Sequence, residues 1–224
     1  MKSHKDLTHV DHISNACRTK EEMYRYLSVD IDNATESAES KENLDVKKTK
    51  RTVDKCLKAF FEPEDREIKC EKCEEGTVAT QTLKVLNQPK AILLHLKRFV
   101  LVERPRKKFD ESDESAGVEI TFRKNKAPVV INQMLSLHSF LKEASGKEQS
   151  YSIKSIVHHI GSTASSGHYT ADALRIRPNQ PGKNVTWVSF DDTKVDTATS
   201  TDILNSVDKQ KTAYMLLYSM DNMK

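Results

Sequence analysis

Apolar residues along this chain recur at two periods, and the switch between them marks its organisation. In "TVDKCLKAFF" (52–61), Val53, Leu57, Phe60 and Phe61 fall at i, i+4, i+7 and i+8. That is the stripe of an amphipathic helix with one buried face, and Pro63 closes it. Beyond Pro63 the apolar positions alternate or run together, and the segments read as strands. They are "TQTLKVL" (80–86), the long apolar "AILLHLKRFVLV" (91–102), "VEITF" (118–122), "YSIKSIVHHI" (151–160), "HYTADALRI" (168–176), "NVTWVSF" (184–190) and "AYMLLYS" (213–219). Between them, "RPRKKFDESDESAG" and "STASSG" read as exposed loops. "TSTDILNSV" (199–207), with a Ser or Thr cap and an Asp in its first turn, reads as one more helix. Ahead of residue 52 the pattern is weaker. Residues 1–16 are polar and read as loose, "KEEMYRYLSVDI" (20–31) as a turn or short helix feeding a strand, and residues 32–51 as a mobile linker poor in apolar positions. Many strands, short loops and few helices predict an antiparallel, strand-dominated α+β architecture.

Composition narrows the class. The chain has 224 residues, enough for one large domain or two small ones, with 37% hydrophobic and 31% charged residues, a balance expected of a globular core carrying solvated insertions. A net charge of +3 argues for neither a nucleic-acid nor a membrane partner. No stretch reaches the ~20 apolar residues of a membrane span, and "MKSHKDLTHVDHIS" has no signal-peptide core. The expectation is an intracellular protein, in cytoplasm or nucleus, whose four cysteines are reduced. Cys70 and Cys73, in "CEKC", then have the spacing of half a zinc site, a redox pair or chance. A nucleic-acid zinc module would need a second Cys or His pair within ~12–20 residues and a strongly basic surface, and neither is present. Cys56 lies beside the helical stripe and reads as a small packed residue.

The residues around 165–192 carry the clearest chemistry. Gly167 permits a turn or a close approach, and His168 follows it. A histidine titrates near pH 6.5 and can act as a general base when a carboxylate orients it. If 168–176 and 184–190 pair as an antiparallel hairpin, His168 at the start of one strand meets Asp191 or Asp192 at the end of the other. No nucleophile is evident: Cys17, in "SNACRTK", has no glycine-rich turn to activate it, and the serines of "STASSG" sit too close to His168 in sequence.

Taken in order, "CEKC", "QPKAILLHLKRF", "YSIKSIVHHIGSTASSGHYTA", "WVSFDD" and "AYMLLYS" resemble the C-terminal two thirds of the ubiquitin-specific protease domain, over about residues 13–219. The resemblance implies a papain-like cysteine protease fold represented by its antiparallel β palm and fingers, with the helical lobe that carries the cysteine box missing. It places fingers at 13–31 and 62–86, an insertion at 32–51, the palm at 87–219 and a tail at 220–224. It implies His168 as the base, Asp191 as its orienter, and Asp192 as an aid with polar contacts. Gly167 and Tyr169 would line the channel for the ubiquitin tail, and Trp187 and Phe190 would be structural. Cys17 would align with the first zinc knuckle, where Ser14 replaces one cysteine. Cys17, Cys70 and Cys73 would then be three ligands of a degraded finger, with His9 or His12 as a possible fourth. No cofactor is required, and structural zinc is an open option. The implied partners are ubiquitin and ubiquitinated proteins. The implied activity is thiol-dependent hydrolysis at the ubiquitin C-terminus, incomplete in a chain with no cysteine box. The other reading is a non-catalytic ubiquitin-binding scaffold.

Overall fold

A computed structural model describes residues 2–9, 18–32, 50–69, 76–105, 117–143, 148–176 and 185–221. In chain order the elements are β1 (Lys2–His9), β2 (Arg18–Met23), β3 (Leu27–Asp30), α1 (Val53–Phe61), β4 (Glu64–Lys69), β5 (Gly76–Val85), β6 (Ala91–Lys97), β7 (Phe99–Pro105) and β8 (Val118–Lys124). They continue with β9 (Met134–Ser136), a 3-10 turn (His138–Phe140), β10 (Ser150–Ile160), β11 (His168–Ile176), β12 (Val185–Asp191), β13 (Lys194–Ala198), α2 (Ser200–Leu204), α3 (Val207–Thr212) and β14 (Ala213–Met220). The predicted strand-dominated α+β class is the class observed. An eight-stranded sheet runs β13-β12-β11-β10-β14-β6-β3, with β9 on β10; β2-β1-β5-β4 form a second sheet and β7-β8 a two-stranded ribbon. Every pairing is antiparallel except β3 with β6.

The helix α1 forms where its stripe predicts. Thr52 caps it, its hydroxyl accepting from the Lys55 N–H at 3.2 Å. Val53, Cys56, Leu57 and Phe61 are buried in one core with Leu27, Val29, Leu94, Leu96, Ile153, Ile156 and Leu216. Four segments depart from the sequence pattern. Residues 2–9 are a strand, not a loose tail, because β1 pairs with β2 on one side and β5 on the other; a backbone ladder needs no apolar alternation in the strand it captures. Residues 18–23 are the strand β2, not a turn or helix. "TSTDILNSV" is two helices. Thr199 and Asp202 form a capping box for α2, and Ser206 caps α3 by accepting from the Lys209 N–H.

The fourth departure is the long strand 91–102, which breaks at Arg98. That side chain is fully buried. It donates to the carbonyls of Ala213 at 2.5 Å, Gln210 at 2.6 Å, Ala127 at 3.0 Å and Asn125 at 3.1 Å. Burial draws its pKa down to about 10, so it stays charged at neutral pH. The Arg98 N–H turns back onto the Leu96 carbonyl at 2.8 Å, so β6 ends there and β7 pairs with β8 outside the sheet.

The strands β10, β11 and β12 are joined by a buried carboxylate. Asp172 is 1% exposed. Its Oδ1 accepts from Ser189 Oγ at 2.5 Å and Lys209 Nζ at 2.6 Å; its Oδ2 contacts Lys209 Nζ at 2.6 Å and His158 Nε2 at 2.8 Å. His158 Nδ1 in turn lies 3.1 Å from Thr212 Oγ1. One residue thereby ties three strands to α3. Burial alone would raise its pKa, but the hydrogen bonds from His158, Lys209 and Ser189 outweigh it and hold the carboxyl at about 2. An unfolded aspartate titrates near ~3.9, so this stabilisation is complete above about pH 4 and is lost as the pH falls from there through about 2. Asp172→Asn is expected to lower the unfolding free energy at pH 7 by about 2 kcal/mol or more, and to flatten the loss of stability between pH 4 and 2. Urea unfolding of both proteins across that range checks it; parallel pH profiles would contradict it.

Candidate active site

The predicted hairpin forms, and its register explains the site. β11 pairs with β12 from Ala171 opposite Phe190 to Ile176 opposite Val185. Side chains on a strand alternate between faces, so His168, Thr170 and Asp172 share one face of β11. On β12, Ser189 and Asp191 share that face, since Ser189 is opposite Asp172 and bonded to it. His168 and Asp191 are diagonal neighbours at the open end of the hairpin, close enough for long side chains to meet. His168 Nε2 hydrogen-bonds Asp191 Oδ1. Their side chains are 44% and 55% exposed, so the pair is open to a reacting group. With Nε2 engaged, Nδ1 is the nitrogen that remains to take a proton. The bond to Asp191 is the main cause that raises the His168 pKa above the ordinary value, and the charges of Asp191 and Asp192 add to it against some desolvation.

Asp192 sits in the tight turn between β12 and β13 with φ of 50°, a left-handed conformation that Asp tolerates better than most residues. One atom each from His168, Asp191 and Asp192 lie within 4.8 Å of one another, a set able to hold a metal ion. The His168–Asp191 bond commits two of those donors to each other. Gly167 is required by close approach. A Cβ there would strike His159 Nε2 and lie 2.8 Å from both His159 Cε1 and the Ile160 carbonyl. Tyr169 points to the opposite face from His168, 54% exposed, with its ring centroid 4.9 Å from that of His159 and 6.3 Å from that of Tyr214. Trp187 is buried, and Phe190 lies under the Arg175 guanidinium, 5.4 Å from its ring centroid.

The described cysteine does not join this constellation. Cys56 is fully buried on α1, and burial, with the Asp30 charge adding to it, pushes its thiol up to about 11; it packs, as its sequence position predicts. Cys17, Cys70 and Cys73, the expected knuckle cysteines, lie outside the described residues. A cavity of about 450 Å³ opens beside Asp191, walled by Ile160, Thr170, Lys194, Asp208 and Lys209. A second, of about 510 Å³, lies away from His168 among Tyr24, Phe60, Arg66, Gln81 and Lys97 and has no place in this chemistry. Two groups around the site were not singled out by sequence: the Asp172–His158–Ser189–Lys209 network, and Lys124 with His159. The adjacent histidines of "VHHI", facing opposite sides of a strand, were the available signal.

The chain matches the family described as ubiquitin carboxyl-terminal hydrolase over residues 10–218. It is 30% identical over 208 residues to ubiquitin carboxyl-terminal hydrolase 10 of Saccharomyces cerevisiae, covering 90% of this chain and 23% of the relative. It is also 30% identical over 169 residues to ubiquitin carboxyl-terminal hydrolase 51 of Mus musculus, covering 73% and 23%. The chain thus spans about a quarter of the length of these relatives. Among solved structures, the yeast SAGA DUB module superposes with a TM-score of 0.67 at 19% identity, covering all of this chain and 41% of the other. The SAGA Ubp8/Sgf11/Sus1/Sgf73 DUB module bound to ubiquitin aldehyde does so with 0.65 at 20%, with the same coverage. The fold is therefore the papain-like one the motifs imply. The hairpin that joins a half-exposed histidine to an aspartate belongs to a chain that is a member of the ubiquitin carboxyl-terminal hydrolase family.

Proposed function

We propose that this chain supplies the base side of a thiol-dependent deubiquitinase: His168 is the general base, Asp191 orients it, and the ubiquitin C-terminus is the substrate end. The observation that carries the reading is the His168 Nε2–Asp191 Oδ1 hydrogen bond at the open end of the β11–β12 hairpin. A carboxylate on Nε2 fixes the tautomer and stabilises the imidazolium that forms when Nδ1 takes a thiol proton. Asp192 adds negative charge beside the ring. Gly167 and Tyr169 line the approach of the substrate's tail, with Gly167 held against the His159 ring, which leaves no room for a side chain there. Ubiquitin and ubiquitinated proteins are the partners. Structural zinc at Cys17, Cys70 and Cys73 is compatible with this role and takes no part in the chemistry.

The thiol itself is not supplied by these 224 residues. None of the four cysteines stands in a cysteine box of the family type, and the buried, poorly acidic Cys56 favours a second reading, a scaffold that grips ubiquitin without cleaving it. Hydrolysis of a fluorogenic ubiquitin C-terminal conjugate separates these. The chain alone is expected to match its His168→Ala variant at background. Cleavage that disappears in His168→Ala would place the nucleophile among the four cysteines and overturn this assignment. The pairing has its own test in an NMR titration of the imidazoles. His168 is expected to titrate above about 6.5, the ordinary histidine value, and Asp191→Asn to bring it down toward that value, because the variant removes the carboxylate that favours the cation. A midpoint unchanged by Asp191→Asn would break the base–orienter pair.

A further inference from the structure

The β8 strand ends in a lysine with an unusual environment. Lys124 is 8% exposed. Its ammonium donates to the His159 carbonyl at 2.6 Å, the Gly161 carbonyl at 3.0 Å and His159 Nδ1 at 3.0 Å. An ammonium has three donors and no acceptor, so all three are used, and all three acceptors belong to the end of β10 and the turn that follows it. None of them is a carboxylate. Burying a cation costs several kcal/mol, which a leucine at this place would avoid, so the lysine's contribution lies in what it organises.

What it organises is the His159 ring. Because an ammonium only donates, Nδ1 must be the bare nitrogen, and the ring proton sits on Nε2. Within the turn that follows, the Thr163 and Ser166 hydroxyls lie 2.8 Å apart. The Ser166 carbonyl also accepts from Thr163 Oγ1 at 3.1 Å. Lys124 thus ties the ring to the Gly161 carbonyl, and the ring edge fills the space that a side chain on Gly167 would need. The walls of the ring's pocket are Phe99 of β7 at 5.4 Å, Tyr169 of β11 at 4.9 Å and Tyr214 of β14 at 5.9 Å between centroids. Lys124 is the cation that faces it among the described residues, and no described carboxylate bonds it. Burial and the Lys124 charge both lower the His159 pKa. The next residue after the clasped turn is His168, paired with Ile160.

We propose that Lys124 is a positioning residue for the His168 site: by holding His159 as the neutral Nε2–H tautomer it fixes the 161–167 turn and the backbone that delivers Gly167 and His168. This inference rests on the reading of His168 as the base, but its physical content is separable from activity. Without Lys124 the ring is free to take the Nδ1–H form or a second proton. In either case its fit between the β10 end and Gly167 changes, and the start of β11 loosens where His168 must meet Asp191.

The test is imidazole 15N NMR of the full 224-residue chain from pH 5.5 to 8, comparing wild type with Lys124→Met. In the wild type, His159 is expected to carry its proton on Nε2 when neutral and to titrate below the ordinary histidine value, as burial and the Lys124 charge require. In Lys124→Met it is expected to lose that single tautomer and to titrate nearer 6.5, while the His168 midpoint drops toward the same value as the Asp191 contact is populated less. Lys124→Arg, which keeps a cationic donor, should restore the Nε2–H tautomer. If Lys124→Met does not fold, His159→Phe removes the ring's hydrogen bond to Lys124 at similar volume and must lower the His168 midpoint in the same way. A His159 signal unchanged in Lys124→Met, or a changed His159 with an unmoved His168, overturns the proposal. Neither result depends on whether His168 proves to be the base, which the hydrolysis assay decides separately.

Discussion

The geometry of the site depends on the register of three antiparallel strands. Slipping one strand by a single residue would send its side chains to the other face of the sheet, and His168 and Asp191 would no longer meet. Neither connection is a two-residue hairpin turn: β11 and β12 are separated by residues 177–184, and β10 and β11 by the seven residues 161–167. Asp172 enforces the register instead. A buried carboxylate with four donor contacts cannot move one residue along its neighbours without leaving charge unpaired, and that costs several kcal/mol. Its partner Ser189 lies two residues before Asp191 and its partner His158 two residues before Ile160, so the network sits one pleat away from the site on both flanking strands.

The two faces of the sheet then do different work. On one face, Trp187, Ile203 and Leu204 are buried, followed by the Asp172 network and finally the half-exposed His168–Asp191 pair. Exposure rises toward the open end, from the buried Asp172 to the half-exposed His168–Asp191 pair. On the opposite face, Tyr169, His159, Tyr214 and Phe99 pack ring against ring, with Lys124 beneath. Arg98 and Lys124 share a role in this arrangement. Each buries a cation against backbone carbonyls, Arg98 at the junction of β6, α3 and β14 and Lys124 at the β10–β11 turn. Each thereby turns loose backbone into a fixed frame around the site.

Much of this was legible in the sequence. The helical stripe at 53–61, most of the strands and the hairpin follow from periodicity; residue chemistry narrows the partner of His168 to Asp191 or Asp192, and the family resemblance selects Asp191. What was not legible has a common cause. A strand such as β1 is held by backbone ladders that leave no signature in side-chain pattern. The break at Arg98 and the clasp by Lys124 involve cations facing inward, where a reading of polarity places them in solvent. Nothing in "HYTADALRI" marks Asp172 as buried. Its burial depends on Lys209, 37 residues away, and on His158 across the hairpin. Tertiary partners of this kind override local pattern, and a single sequence does not display them.

The central claim is that the end of the β11–β12 hairpin receives the ubiquitin tail. Its most direct test is an NMR footprint of this chain titrated with intact ubiquitin and with ubiquitin lacking its last two glycines. The account predicts that intact ubiquitin shifts the signals of Gly167, His168 and Tyr169, and that the shortened form leaves these three unmoved while still shifting signals elsewhere. Equal shifts at Gly167, His168 and Tyr169 with both forms, or none with either, would contradict it.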